Sequence, residues 1–312
     1  MTEPLALQYD IASAQSLGRR SRQEDALAVS CPMGAPFGFA VVSDGMGGHA
    51  AGDLASRIIV AEIFAELTLR GRGPFPEAAD LSHVLGASVE TANDSLRAQI
   101  EACPDQAGMG GTVIATALVE DALQWVSVGD SLLFLVRDGR IERLNADHSM
   151  APQIDMMAQR GMIDAEAART HPQRNCLTSA LTGQAIPEMD CPERRLDLAD
   201  GDMVVLASDG LQVVPQAELA AILALAEGSP SRDIATALME AVAECEDPEQ
   251  DNTSVVVIKV EKGNAIAASG SDPATGARAE PRSAEDRKLW AMVSGLLDQP
   301  AYQTADAAKT RS

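Results

Sequence analysis

The sequence predicts an α+β domain built as an α-β-β-α four-layer sandwich, two antiparallel sheets flanked by helices. Three observations carry that expectation. Short runs rich in Val, Ile, Leu and Phe recur along the chain, several are joined by hairpin-type turns, and the helical patterns fall in blocks of their own. Strands and helices grouped in this way argue against an alternating βαβ sheet.

The strand-like runs lie at 26–30, 37–43, 112–119, 122–128, 131–137, 140–144, 203–207 and 253–260. Glu120-Asp121 separates one pair and Arg137-Asp138-Gly139-Arg140 another, and Asp-Gly is a strong tight-turn signal that makes the pairs antiparallel. Helical periodicity covers about 50–70, 82–101, 149–160, 163–169, 215–226 and 230–244. After Val260 the chain passes into small and polar residues that do not bury a core. A domain over 1–261, a flexible linker over 262–283 and a C-terminal amphipathic helix and tail over 284–312 are expected. Leu289, Met292, Val293, Leu296 and Leu297 form the apolar stripe of that helix, a face for docking onto the domain or for a partner.

With 46 acidic against 24 basic residues, the net charge of −22 repels nucleic-acid phosphates and anionic lipid, which excludes duplex DNA and membrane surfaces as expected partners. The five cysteines, Cys31, Cys103, Cys176, Cys191 and Cys245, form no C-x-x-C pair and suggest neither a disulfide framework nor a zinc site. No stretch approaches the ~20 apolar residues of a membrane span, and the start has no basic region followed by an apolar run. A cytoplasmic protein, monomeric by default, is expected.

The chemistry is carried by carboxylates at strand boundaries. The run Phe39 to Ser43 ends in Asp44-Gly45-Met46-Gly47-Gly48-His49, where a strand end holds the carboxylate and glycines let backbone approach an ion. The pattern repeats at Ser208-Asp209-Gly210, Gly129-Asp130-Ser131 and Asp251-Asn252, with Glu24-Asp25 just before the strand at 26–30. Each alone reads equally well as a turn. Together they predict a convergent oxygen-ligand cluster, and hard carboxylate oxygens without paired His or Cys select Mg²⁺, Mn²⁺ or Ca²⁺ over zinc. No D-x-D-x-D-G loop is present, which disfavours an EF-hand.

In this order, Arg20-Ser21-Arg22-Gln23-Glu24-Asp25, Asp44-Gly45-Met46-Gly47-Gly48, Gly110-Gly111-Thr112, Gly129-Asp130-Ser131, Asn175 to Gly183, Ser208-Asp209-Gly210 and Asp251-Asn252 resemble the metal-dependent PPM/PP2C-type protein phosphatases over roughly 10–260. The Asp-Gly-Met-Gly-Gly-His form resembles the bacterial branch. The resemblance implies a protein Ser/Thr phosphatase with two or three Mg²⁺ or Mn²⁺ ions. Asp44 would bridge two metals with the Gly45 carbonyl on one of them, Asp209 and Asp251 would complete the other, and Asp130 with Asp209 would hold a third. Glu24 and Asp25 would sit near the metals through water, and Arg20 would grip the substrate phosphate with its planar, permanently charged fork. Two ions ~3.5–4 Å apart supply hydroxide at neutral pH and stabilise an in-line displacement.

The implied partners are phosphorylated proteins, a Ser/Thr kinase and its targets. Met46 stands where eukaryotic members carry a histidine proposed as general acid, and it has no proton to donate; His49 lies three residues on. His148 opens a segment resembling the family's flap, about 148–180. The alternative is a phosphatase-like binding or scaffold module with little catalysis, against which the complete acidic set and Arg20 count.

Overall fold

The computed structural model describes residues 7–32, 37–47, 51–70, 78–225 and 228–262. All of them lie within the compact unit Met1–Ala265. The expected linker and C-terminal helix fall, apart from Lys262 at the end of a strand, outside the described residues, as does His49.

The strands are β1 (Leu7–Ser16), β2 (Asp25–Ser30), β3 (Phe37–Met46), β4 (Gly110–Gly111), β5 (Val113–Val119), β6 (Ala122–Val128), β7 (Leu132–Arg137), β8 (Arg140–Arg143), β9 (Leu196–Asp197), β10 (Met203–Ala207) and β11 (Thr253–Lys262). The helices are α1 (Ala51–Arg70), α2 (Ala78–Ala102), α3 (Ala151–Gln159), α4 (Ala165–Arg169), α5 (Gln216–Leu225) and α6 (Ser231–Glu244). One sheet runs β1-β11-β10-β7-β8 and the other β2-β3-β5-β6-β9, with β4 paired to β3. Every pairing between these strands is antiparallel. Asp138 and Gly139 both take positive φ, 51° and 70°, as the predicted two-residue hairpin between β7 and β8 requires.

Three apolar layers make the sandwich. Ala55, Ile59 and Ile63, one turn apart on α1, pack with Leu85, Val89 and Leu96 of α2 against Phe39, Val41, Ala115 and Ala117. Leu219, Leu223, Ile234 and Leu238 of α5 and α6 cover Val205, Val255 and Val257 on the outer face of the other sheet. Between the sheets, Ala40, Val42, Ile114 and Leu118 face Leu133, Val204, Leu206, Val256 and Ile258. Both faces of the central strands are therefore buried, which is why they read as continuous apolar runs instead of alternating ones.

The ten-residue strand β1 was not among the predicted runs. It is an edge strand paired only to β11, and Gln8, Asp10, Ser13 and Gln15 interrupt its apolar residues. The two-residue strands β4 and β9 were likewise absent from the prediction, being too short to show a period.

Candidate active site

Strand parity explains where the acidic residues converge. Ala40 and Val42 on β3 fill the layer between the sheets, and Asp44, two residues on, shares their face. Asp25 likewise follows the parity of Leu27 and Val29 on β2, and it stands directly opposite Asp44 in the β2-β3 register. From the other sheet, Ser208 continues the face of Val204 and Leu206, while Asn252 and Ser254 continue that of Val256 and Ile258. At one end the central apolar layer thus turns polar, with Asp209 just past β10, Asp251 just before β11 and Asp130 in the β6-β7 turn.

Backbone contacts fix these ends. The Thr112 amide donates to the Asp44 carbonyl at 2.8 Å, and the Asp44 amide donates to Thr112 Oγ1 at 3.1 Å. Thr112 Oγ1 is in turn 2.8 Å from Ser131 Oγ, which ties the Gly129-Asp130-Ser131 turn to the strand carrying Asp44. Gly45 is packed so closely that a Cβ there would lie 2.1 Å from the Gly52 carbonyl oxygen and 2.6 Å from that of Glu24. His148 is buried behind the Asp130 turn, its Nδ1 accepting from the Gly129 amide at 3.1 Å, so it is a support for that turn.

The electrostatics are those of crowded, poorly hydrated carboxylates. Burial, then the charges of Asp209, Asp25, Asp251 and Asp130, hold the Asp44 carboxyl well above the usual range. Asp209 is pushed up to about 7, mainly by burial and next by Asp130. Asp130 is pushed up to about 6 by burial and by Asp147. Burial also raises Asp25 and Glu24. The carboxyls of Asp25 and Asp209 both neighbour that of Asp44. The Oδ1 atoms of Asp25 and Asp209 are buried and receive no hydrogen bond. Among the described residues no three His, Cys, Asp or Glu side chains close into a single ligand shell. Donorless carboxylate oxygens with raised proton affinity fit a divalent cation, which would replace the missing donors.

Arg20 and Asp251 form a 2.6 Å ion pair at the rim, both substantially exposed. Asn252 secures the loop that carries Arg20: its Oδ1 accepts from the Glu24 amide at 2.7 Å, and its Nδ2 donates to the carbonyls of Leu17 and Arg22 at 2.9 and 3.0 Å. A cleft of about 770 Å³ opens beside the acidic end, with Arg19, Arg20, Arg169, Arg174, Asp209 and Asp251 in its walls. Arg174 in that wall makes a two-pronged contact with Asp155 of α3, at 2.6 and 2.9 Å, holding the 151–175 segment together. A smaller cavity of about 420 Å³, at the opposite end of the same sheet by the Asp138-Gly139 turn, contains none of the predicted site residues.

The predicted residues Glu24, Asp25, Asp44, Gly45, Asp130, Asp209 and Asp251 thus gather at one end of the sandwich, with Arg20 at its rim. Thr112, Ser208, Asn252 and Ser254 received no role from the sequence. The parity of the strands was the signal that would have placed the last three.

An α-β-β-α sandwich with a cation-accepting acidic centre at one end of its inter-sheet layer is the class of protein defined by these observations. Residues 14–256 match the family model for protein phosphatase 2C, and the chain belongs to that family. Serine/threonine protein phosphatase PstP of Mycobacterium tuberculosis is 34% identical over 208 residues, 66% of this chain and 37% of that protein. The chain therefore spans well under half the length of that relative. Serine/threonine phosphatase stp of Listeria innocua is 31% identical over 187 residues, 59% of this chain and 70% of the relative. The serine/threonine phosphatase structure from S. agalactiae superposes with a TM-score of 0.70 at 28% identity, covering 81% of this chain and 100% of that one. The catalytic domain of PstP in complex with 2 manganese ions gives 0.65 at 29% identity, covering 82% and 99%.

Proposed function

We propose that the chain is a metal-dependent serine/threonine protein phosphatase that hydrolyses phosphoserine and phosphothreonine on protein substrates. The observation that carries this reading is the meeting, between the two sheets, of Asp25 and Asp44 with Asp209, where buried carboxylate oxygens lack donors. Asp44, the Gly45 carbonyl, Asp209 and Asp251 would hold two Mg²⁺ or Mn²⁺ ions, Asp130 with Asp209 a third, and Glu24 and Asp25 would act through water. Bound there, such ions supply a water deprotonated near neutral pH and neutralise charge on the phosphoryl oxygens.

The chain's own groups do the rest. Arg20 stands at the cleft rim with its guanidinium exposed, where a substrate phosphate can take the place of Asp251 on its fork. The cleft accepts an extended segment of a phosphorylated protein, with Arg19 and Arg169 in its wall as further cations. Met46, which follows Gly45, has no proton for the leaving alkoxide. The substrates we infer are a Ser/Thr kinase and its targets, met by a monomeric enzyme in the cytoplasm whose phosphatase domain spans 1–261.

The test is hydrolysis of p-nitrophenyl phosphate and a phosphothreonine peptide with Mn²⁺, with EDTA, and by Asp44→Asn and Asp209→Asn. Turnover that needs Mn²⁺ and is lost in both variants supports the reading. Folded, Mn²⁺-loaded wild type without turnover would overturn it in favour of a binding module.

A further inference from the structure

A hydrogen-bond network with a buried centre spans the two sheets at the acidic end. Asp25 Oδ2, on β2, accepts from Ser208 Oγ at 2.8 Å and from Ser254 Oγ at 2.7 Å, both on the opposite sheet. The direction of these bonds is determined by what the hydroxyls accept. Ser208 Oγ receives the Ser254 amide at 2.9 Å, and Ser254 Oγ receives Gln15 Nε2, from the edge strand β1, at 2.9 Å. Each hydroxyl therefore directs its single proton at Asp25. Ser208 and Ser254 are both completely buried, and the Ser208 amide also donates to the Ser254 carbonyl at 3.0 Å. A buried carboxylate oxygen holding two committed donors is a strong, geometrically defined contact. Its other oxygen, Oδ1, is left without a donor, in a carboxyl that neighbours that of Asp44.

We infer that Asp25, Ser208 and Ser254 form an inter-sheet clasp that sets the spacing between Asp44 on one sheet and Asp209 and Asp251 on the other, and so positions the ligand set. The inference rests on the metal-centre reading above and gives the serines a positioning role within it. The clasp sits one residue before Asp209, three after Asp251, and directly across the register from Asp44. A shift of either serine is transmitted to a ligand through one to three residues of backbone. Without the clasp, repulsion among the carboxylates acts to widen the gap that the cations must bridge.

The experiment is titration calorimetry of Mn²⁺ binding by wild type, Ser208→Ala, Ser254→Ala and Gln15→Met, with metal-free melting of each. Gln15→Met removes only the donor that orients the Ser254 hydroxyl, and so keeps the test open if an alanine variant does not fold. Ser88→Ala is the control, losing a buried serine bond of 2.7 Å to the Leu85 carbonyl on α2, away from the site. Each alanine variant in the clasp is expected to weaken Mn²⁺ binding about tenfold, Gln15→Met to weaken it less, and Ser88→Ala to leave it unchanged while lowering the metal-free melting point. Clasp variants that melt lower, as Ser88→Ala does, yet bind Mn²⁺ like the wild type would overturn the inference and leave the metal centre standing. Wild type that binds no Mn²⁺ would overturn the metal-centre reading and the clasp with it.

Discussion

Replacing Asp209 by Asn should stabilise the metal-free protein at pH 8 while abolishing its stabilisation by Mn²⁺. In the folded chain the Asp209 carboxyl titrates at about 7 against an ordinary 3.8, through burial and the charges of Asp130, Asp251 and Asp25. A raised folded-state value means that the native state holds its proton while the unfolded chain has lost it, so stability falls as pH rises from about 4 to about 7 and is flat above. A shift of about three units corresponds to about 4 kcal/mol above pH 7. An amide must still be buried there, so about half is recovered, on the order of 2 kcal/mol, or 4–8 °C at roughly 2–4 °C per kcal/mol for a domain of this size. The assay is melting in EDTA at pH 5, 6, 7 and 8, then with Mn²⁺. Wild type and variant should converge as pH falls toward 4, move apart as pH rises to about 7, and differ by a constant amount above that. With Mn²⁺ at a hundred times its dissociation constant only the wild type should gain about 2.7 kcal/mol. A variant that melts below metal-free wild type at pH 8 would refute the electrostatic argument.

Arg20→Gln should move the melting point by no more than about 4 °C, because an exposed ion pair such as Arg20 with Asp251 contributes at most about 1 kcal/mol. Its KM for a phosphothreonine peptide should nevertheless rise on the order of tenfold or more, the worth of a charged hydrogen bond, measured by initial rates. Asn252→Ala strips partners from the Glu24 amide and the Leu17 and Arg22 carbonyls, and should cost on the order of 3 kcal/mol in urea unfolding. Gly45→Ala drives a Cβ into two carbonyl oxygens of the backbone and should destabilise by about 3 kcal/mol, visible as a lower urea midpoint.

The sequence announced the sandwich because its central strands are covered on both faces: Val255 and Val257 meet α5 and α6 while Val256 and Ile258 meet the other sheet, and the run has no polar gap. Edge strand β1 has small and polar residues at alternate positions and carried no such signal. Asp44, Asp130 and Asp209 were legible because each lies at a strand boundary between glycine and serine, and Asp25 and Asp251 because each stands at the entry to an apolar strand. The residues that hold them were not, since Thr112, Ser208, Asn252 and Ser254 look like ordinary turn and strand residues until strand pairing shows which face they share. Asp130 shows the same division: its carboxylate was readable, while the buried His148 that supports its turn became apparent only when the Gly129 amide was found to end on Nδ1.

The carboxylates proposed as ligands are split between the sheets, so their repulsion works against the packing that brings the sheets together. Two unit charges about 4 Å apart repel by about 4 kcal/mol at an effective dielectric of 20. Against this stands the central layer, where Val42, Ile114, Leu118, Leu133, Val204, Leu206, Val256 and Ile258 are each 0% exposed. Each such side chain contributes about 1.5–3 kcal/mol, so a few of them outweigh one repelling pair. The raised proton affinity of the Asp44, Asp25 and Asp209 carboxyls lowers the repulsion further in the metal-free state. The domain is therefore expected to be folded in EDTA with cations tightening it, in contrast to small metal-dependent modules that unfold when stripped. A cooperative thermal transition and native circular dichroism in EDTA at pH 7 would bear this out. An unfolded metal-free chain would mean that the carboxylate repulsion exceeds what the apolar layer supplies.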